Sequence, residues 1–280
     1  MNVDLSLLPV PDLVETLDFE EEYQGVLGRF RLAMGDQWSA VLESDPVVKL
    51  MEEMAYERVI TRARINDAAR SVLLASARGA DLDNVLAFMD AKRLTAERDD
   101  DYRERGRQAP YGFSTAGPLA AYKYHAKSAH SDVLDAKVDR PEPGVVRITV
   151  LSRSPGGVPS EAVLAAVRTA LSADDIRPLT DTLLVVAATV VRYVVKGRIY
   201  VASGAAPEPL LEAAKAATKL YTDQQFAIGE AVTPSGLYAA LHQPGASRAD
   251  LLSPVNGIAA QAQTAALCTG IELEVVTNYD

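Results

Sequence analysis

The sequence has one cysteine, Cys268, among its 280 residues, and it has no long apolar run. One cysteine excludes an internal disulfide and an all-cysteine metal site within a single chain, which fits a reducing compartment. The longest apolar runs fall far short of the ~20 residues that span a bilayer, and the start lacks a basic segment followed by an apolar core. We therefore expect no standard secretion signal, no membrane-embedded segment and no membrane as partner.

Basic side chains are scarcer than acidic ones, with 28 Lys and Arg against 38 Asp and Glu. The imbalance is concentrated in residues 1–53, which hold twelve acidic and three basic side chains, so the rest of the chain is nearly neutral. A protein that binds a phosphate backbone needs clustered Lys and Arg. The charge pattern therefore predicts that nucleic acid is not a partner, while 48% hydrophobic and 24% charged residues are typical of a globular protein.

Residue patterns for catalysis or metal binding are also lacking. His125 and His130 are five residues apart, whereas two ligands on one helical face need a spacing of four. No serine lies in a G-x-S-x-G turn, and Cys268 has no basic or glycine-rich neighbours that would activate a thiol. The loop 154–157 precedes a helix, but no Lys-Ser or Lys-Thr follows it and Pro155 lacks an N–H for a phosphate. We predict no catalytic residue, no metal site, no cofactor and no enzymatic activity.

The first stretch of the chain mixes leucines and valines with prolines and acids, and it has no sustained helical or strand period. An apolar tail left free in water would be unfavourable. We therefore predict an arm that docks either on its own domain or on a neighbouring subunit. Its candidate contact residues are Leu5, Leu7, Leu8, Val10, Leu13, Val14, Leu17 and Phe19.

A strong helix signal follows. Ser44 or Asp45 suits an N-cap, and Pro46 fits the first helical position, where its missing N–H costs nothing. Apolar residues then recur every three to four positions until Gly79, which suits a C-cap, and an unbroken helix of this kind would be roughly 50 Å long. A stripe of that length needs partner helices to cover it.

Arginines interrupt the second half of this stripe. These residues are Arg58, Arg62, Arg64 and Arg70. They either lie on a solvated face and pair with Glu57, Asp67 or the acidic N-terminal segment, or they belong to a helix bundle between chains. The candidate partner-binding residues on the helix are Val48, Met51, Met54, Arg58 and Arg62.

The rest of the chain predicts further helices and two groups of strands. A second helix is expected from Asp81 through Leu94, followed by an exposed charged link or helix start at ERDDDYRERGR. A short helix near Pro118, the strands VLDAKV and VVRITVLS across a PEPG turn, and the helix SEAVLAAVRTAL make one group. The valine-rich LLVVAATVVRYVVKGRIYV, two helices, and the strands ADLL and IELEVV make the other.

These patterns together predict an α+β fold class. We expect an N-terminal helical region, with one long helix and shorter ones, followed by two small α+β domains with mixed or antiparallel sheets. The predicted domains are an arm and helical bundle at residues 1–98, a middle α+β domain at 99–182 and a C-terminal α+β domain at 183–280.

The order of these segments resembles the baseplate J family of contractile-tailed phages, and the resemblance covers nearly the whole chain. It is carried first by DLSLLPVPDLVETLDFE, ESDPVVKLMEEMAYERVITRARINDAARSVLLASARGADLD and DYRER. It continues in STAGPLAAYKYHAKSAHSDVLDAKV, VRITVLSR, VRTALSADDIRPLTD and SGLYAALHQPGASRADLLSP. The chain departs from the family pattern between Leu94 and Asp99, where relatives often carry a longer linker, and at APYGF before Ser114.

This resemblance implies a structural subunit of a baseplate wedge in a contractile phage tail or a tailocin. It implies a triplex of two copies with a slender protein I-type partner, whose helices would join the N-terminal helices in a bundle. The C-terminal regions would pair to close a ring around the tail tube, and movement of that ring would release the sheath to contract. Neighbouring wedges, the hub and sheath-initiating subunits would be further partners.

The family resemblance also implies assembly in the host bacterial cytoplasm and a final location in the tail baseplate. Two other functions stay open from the residues alone. One is a baseplate-associated hydrolase, and the other is a tail assembly chaperone that leaves before the particle matures.

Overall fold

The computed structural model describes residues 5–9, 11–38, 42–114, 118–173, 176, 181–202, 204 and 206–277. The chain forms two compact units. The first unit comprises Met1–Arg93 with Asp99–Arg103, and the second comprises Leu94–Arg98 with Glu104–Asp280. The first unit is helical over its described residues, and the strands that the structure describes lie in the second.

The first unit begins with a short 3-10 turn followed by three α-helices. These elements are the turn Leu5–Leu7, α1 (Phe19–Met34), α2 (Pro46–Ser71) and α3 (Gly79–Ala87). The prediction of an arm followed directly by the long helix missed α1. The local signal was present, since the Asp18 carboxylate accepts a hydrogen bond from the Glu21 amide at 2.9 Å and three acids occupy the first turn.

Helices α1 and α2 pack against each other in an antiparallel pair, because Glu22 near the start of α1 lies beside Arg62 in the second half of α2. Their shared core is small and apolar. It consists of Val26, Leu27, Val48, Met51 and Ala55, with Tyr23, Phe30, Trp38 and Val47 packed around them. Burial of these side chains is the main stabilisation of the pair, since each large one contributes about 1.5–3 kcal/mol.

The predicted start of α2 is confirmed and its predicted end is wrong. Asp45 caps the helix by accepting from the Val47 amide at 2.8 Å, and Pro46 opens it. The helix ends at Ser71 rather than near Gly79, which makes it about 39 Å long at 1.5 Å per residue. Turns follow the helix, and Arg103 satisfies two of their carbonyl groups by donating to the oxygens of residues 74 and 77 at 2.7 and 2.6 Å.

Gly79 opens α3 instead of closing α2. Its φ of +51° favours glycine, and its amide donates to the Asp99 carboxylate at 3.0 Å. That hydrogen bond lowers the pKa of Asp99, and the neighbouring Arg93 guanidinium adds to the effect. The predicted extension of this helix to Leu94 is also wrong, because α3 ends at Ala87 and Arg93 turns back to pair with Asp83 at 2.7 Å.

The charged segment expected to be an exposed link or helix start is a helix, α4 (Asp99–Arg107), with buried residues. Tyr102 is 1% exposed, its hydroxyl donates to the Ala91 carbonyl at 2.8 Å, and the Arg93 guanidinium lies 4.6 Å from its ring centroid. Arg105 is 3% exposed and makes two hydrogen bonds of 2.8 Å to the Glu97 carboxylate. A charge is buried here because its partner is buried with it.

The second unit continues with two short helices and a three-stranded mixed sheet. The elements are α5 (Ala109–Gly112), α6 (Leu119–Ser128), β1 (Val133–Glu142), β2 (Val145–Ser152), α7 (Glu161–Leu171) and β3 (Thr182–Ala187). In the order β1-β2-β3, β1 is antiparallel and β3 parallel to the central β2, with α7 as the crossover. The side chains of α6 and α7 cover one face of this sheet.

A second mixed sheet follows in the same unit. Its elements are β4 (Thr189–Val201), α8 (Pro207–Gln224), α9 (Pro234–Leu241), β5 (Ala246–Ser253) and β6 (Thr264–Val276). The strand order is β5-β4-β6, with β5 antiparallel and β6 parallel to β4. Helices α8 and α9 pack on it through a separate apolar core, and a smaller cluster of Leu151, Ala188, Ile228 and Ala265 contains residues from both sheet regions.

The predicted fold class is confirmed, with N-terminal helices followed by two small α+β regions whose three-stranded sheets are mixed. The division into domains at residues 98 and 182 stays a prediction. In the part of the chain that the structure describes, no helix is long and apolar enough to cross a membrane.

We expect the buried pair of Arg105 and Glu97 to matter far more for stability than its exposed neighbour. Arg105→Ala should lower the free energy of unfolding by about 3–5 kcal/mol, because it leaves a buried carboxylate without its partner. Arg107→Ala on the same helix, which breaks a partly exposed pair with Glu104, should cost less than about 1 kcal/mol. Urea titrations followed by circular dichroism measure both, and equal losses would contradict this prediction.

Two glycine substitutions should change stability in opposite directions. Gly28 lies in the exposed interior of α1 with open space around it, so Gly28→Ala should stabilise the protein by about 0.5–1 kcal/mol. Gly257 has a φ of +68°, and a Cβ there would lie 2.2 Å from the Val232 carbonyl oxygen. Gly257→Ala should therefore cost at least about 1–3 kcal/mol, and thermal unfolding of both variants tests the sign of each change.

Candidate protein-interaction surface

The N-terminal arm, residues 5–18, holds several leucines at the surface of the first unit. Leu7 is 79% exposed, Leu8 48% and Leu13 65%, whereas Leu5, Val14 and Leu17 are half-buried. Phe19, predicted to be part of the arm, is 42% exposed and is the first residue of α1. Val10, another candidate, lies outside the described residues.

The arm is attached to α2 of the same chain at Glu15. The side chain of Asn66 accepts a hydrogen bond from the Glu15 amide at 3.1 Å and donates to the Glu15 carbonyl at 2.8 Å. Arg62 Nε lies 3.0 Å from the Glu15 carboxylate, and Arg62 also pairs with Glu22. The expected pairing of an α2 arginine with the acidic N-terminal segment is thus confirmed, and the arm contacts its own domain.

Helix α2 presents two different apolar faces. Val48 and Met51, both predicted partner-binding residues, are 2% and 3% exposed because α1 of the same chain covers them. Met54, in contrast, is 47% exposed. Met54 is therefore open to solvent, whereas Val48 and Met51 contribute to the core of the chain itself.

The exposed face of α2 carries the predicted Met54 together with apolar residues that were not among the predicted partner-binding residues. We define the outer stripe as Leu50, Met54 and Ile65 of α2 together with Val72, the residue directly after the helix; they are 61%, 47%, 51% and 69% exposed. Their spacings of four, eleven and seven residues place them on one side of the helix. The spacing of these apolar residues was visible in the sequence. When a helix has two apolar faces, however, its sequence does not show which face is covered by the rest of the same chain.

A charged groove lies between α1 and α2. Its lining combines acidic and basic side chains and includes Arg58, the remaining candidate of α2. The residues are Glu21, Glu22, Gly25, Arg29, Glu57, Arg58, Thr61 and Arg62. Because both signs of charge are interspersed, the groove favours a polar partner surface without strong preference for one net charge.

An apolar pocket of about 300 Å³ lies between the arm and the turn that follows α2. Leu5 and Leu8 line it from the arm, and Leu73 and Leu74 line it from the turn, with Arg70 beside them. Such a pocket is large enough for an apolar side chain of a partner. Leu5 and Leu8, which were predicted to dock, therefore lie beside Leu73 and Leu74, which the sequence had predicted to be part of the long helix.

The residues considered for metal binding have other roles. The His130 ring accepts a hydrogen bond from the Asp132 amide at 3.0 Å, and the Asp132 carboxylate accepts from the hydroxyls of Ser152 and Ser154. These bonds fix the turn that leads into β1. Among the residues that the structure describes, no group of three or more His, Cys, Asp or Glu side chains is placed to hold a metal ion.

Two family models match the chain. Residues 43–100 match the Baseplate J-like N-terminal domain, and residues 114–187 match the Baseplate J-like central domain. The first match begins just before α2 and ends in α4, and the second spans α6 through β3.

Whole-chain comparisons extend the match. The chain is 41% identical to Baseplate protein J of Escherichia phage P2 in an alignment 299 positions long, which covers 99% of this chain and 98% of that protein. It also resembles a chain of the anti-feeding prophage baseplate, determined by electron cryomicroscopy, with a TM-score of 0.32 and 11% identity. That likeness covers 90% of this chain and 53% of the other chain. The identity along the whole chain and the two domain matches show that this protein belongs to the baseplate J family.

Proposed function

We propose that the chain is a structural subunit of the baseplate wedge of a contractile phage tail or a tailocin. The observation that carries this proposal is the 41% identity to a phage baseplate protein along 99% of the chain. In this role the chain forms a triplex with a second copy of itself and a protein I-type partner. The triplexes close a ring around the tail tube, and that ring couples to contraction of the sheath.

The first unit supports the proposal by offering a surface for a slender helical partner. The outer stripe exposes three large apolar side chains along one side of a helix of 26 residues and a fourth directly after its end. An amphipathic helix that lays its apolar face along such a stripe buries both surfaces, which is a common mode of helix recognition. We place the protein I-type partner there, with the arm and its apolar pocket as a second contact.

The second unit supports a contact with another copy or with neighbouring wedges, hub or sheath-initiating subunits. In the sheet order β5-β4-β6, the outer edges of β5 and β6 have no further strand beside them among the described residues. Unpaired strand edges are sites at which other chains add. The proposal places the chain in the host cytoplasm during assembly and in the tail baseplate of the mature particle.

The outer stripe of α2 should be needed for assembly but not for folding. Leu50→Asp places a charge within the proposed helix contact, so its incorporation into purified tail particles should fall roughly tenfold or more. Its circular dichroism spectrum and unfolding midpoint should match the unchanged protein, because Leu50 is 61% exposed. Quantitative mass spectrometry of purified particles measures the incorporation.

Leu220→Asp is a matched control, because Leu220 is also a leucine of a helix and is also 61% exposed. Its incorporation should stay near that of the unchanged protein. Normal incorporation of Leu50→Asp would remove the outer stripe from the proposal. Absence of the unchanged chain from mature particles would instead favour a transient assembly chaperone.

Removal of the arm tests its proposed contact separately. Deletion of residues 1–12 removes the exposed leucines at positions 7 and 8 while it keeps Glu15 and the capping Asp18. We expect a folded, soluble protein whose incorporation into particles is strongly reduced, since the pocket lined by arm residues is lost. Particle incorporation equal to that of the full chain would contradict a role of the arm in assembly.

A further inference from the structure

Asn66 is a polar residue in the buried face of α2, and it is 4% exposed. Asparagine is a poor helix former, and a buried amide is unfavourable unless its donor and acceptor are both used. Here both are used by one residue of the arm, since the amide oxygen binds the Glu15 N–H at 3.1 Å and the amide nitrogen binds the Glu15 carbonyl at 2.8 Å. The Asn66 side chain thus gives the backbone of Glu15 one hydrogen-bond acceptor and one donor, as a neighbouring β-strand would.

This arrangement suits an extended segment. Glu15 lies between the short turn closed by the Val14 amide on the Pro11 carbonyl, at 2.9 Å, and the start of α1. A residue in extended backbone directs its N–H and C=O groups outward, and these groups need partners where the chain lies against a helix. A side chain with one donor and one acceptor at a fixed spacing satisfies both. Alanine or leucine at position 66 would leave both groups without this partner.

A second contact joins the same place to α1. Arg62, one helical turn before Asn66, reaches the Glu15 carboxylate at 3.0 Å and also pairs with Glu22 of α1. Arg62 and Glu15 are 45% and 49% exposed in their side chains, so this ion pair is screened by water and contributes less than the buried amide. The arm, α1 and α2 therefore meet at one point through side chains of α2.

We propose that Asn66 is the positioning residue that fixes the path of the arm over α2. Its two hydrogen bonds hold Glu15, and through Glu15 they set where the exposed Leu13 and the arm side of the apolar pocket lie. A segment ordered before binding loses less conformational entropy when it docks. The second step, from ordered arm to efficient assembly, rests on the proposed function, whereas the first step concerns the chain alone.

The first step is tested by Asn66→Ala in the full-length chain. Amide exchange followed by nuclear magnetic resonance should show the Glu15 N–H exchanging roughly tenfold faster or more, because its acceptor is gone. The amides of α2 from Val48 to Ala55 should keep their exchange rates, which separates a released arm from a loosened helix pair. Asn84→Ala is the matched control, since Asn84 is exposed and bonds only within its own helix, to the Ala80 carbonyl at 2.9 Å. It should leave the Glu15 amide unchanged.

Two outcomes would overturn this assignment. One is an unchanged exchange rate at Glu15 in Asn66→Ala, and the other is an equal acceleration throughout α1 and α2, which would make Asn66 a general stabilising residue. Asn66→Asp adds a further check, because an ionised aspartate keeps an acceptor for the Glu15 N–H but cannot donate to the Glu15 carbonyl. It should accelerate exchange at Glu15 less than Asn66→Ala does, and the reverse order would overturn the two-bond arrangement.

The second step is tested by incorporation of Asn66→Ala into purified tail particles, expected to fall roughly fivefold or more below Asn84→Ala. Fast exchange at Glu15 with normal incorporation would overturn the second step, from ordered arm to efficient assembly. If deletion of residues 1–12 also left incorporation normal, the proposal that the arm docks on a partner would be wrong. The proposal that Asn66 fixes the arm through its hydrogen bonds would not be affected. The two proposals are thereby separated.

Discussion

A long helix with apolar side chains on two faces is the constraint on which the first unit depends. Helix α2 has 26 residues, and α1, with 16, covers the face that carries Val48, Met51 and Ala55. The neighbouring flank of α2 is left uncovered, so Leu50, Met54 and Ile65 stay exposed, as does Val72 directly after the helix. Apolar surface of this extent on one side of a helix is typical of a protein that works in an assembly. Membership of the baseplate J family agrees with that reading.

Buried polar groups organise the irregular segments around these helices. Arg103 satisfies two carbonyl groups of the turn after α2, Asp99 satisfies the first amide of α3, and Glu97 neutralises the buried Arg105. Each contact joins residues that are distant or that lie across a turn, and each replaces the regular hydrogen bonds that a helix would supply. Asn66 does the same for the arm at Glu15. Specific side chains thus help to hold these irregular segments, with the pair of Glu97 and Arg105 in the second unit and the other contacts in the first.

The sequence predicted elements whose signals are local. Asp45 with Pro46, Ser160 with Glu161, and Thr233 with Pro234 each mark a helix start, and the side-chain caps are present in the structure. The alternating strands on either side of the PEPG turn pair as expected. The sequence reasoning missed α1 because residues at its start were interpreted as part of the apolar arm. Asp18 and Glu21 nevertheless form a recognisable cap. It also placed Val48 and Met51 among partner-binding residues, and their burial shows that the chain itself covers them.

The sequence by itself determined the α+β class, the starts of α2, α7 and α9, the strands and the family, because caps, periodicity and overall similarity are properties of the sequence alone. Only the tertiary structure decided where α2 ends and which of its faces remains exposed. The turns after that end are held by Arg103, which lies about thirty residues further along and donates to the carbonyls of residues 74 and 77. The exposed face depends on where α1 packs, and two apolar stripes of similar strength do not specify that choice locally. The role of Asn66 likewise became visible only when its amide met the backbone of Glu15, 51 residues away in the sequence.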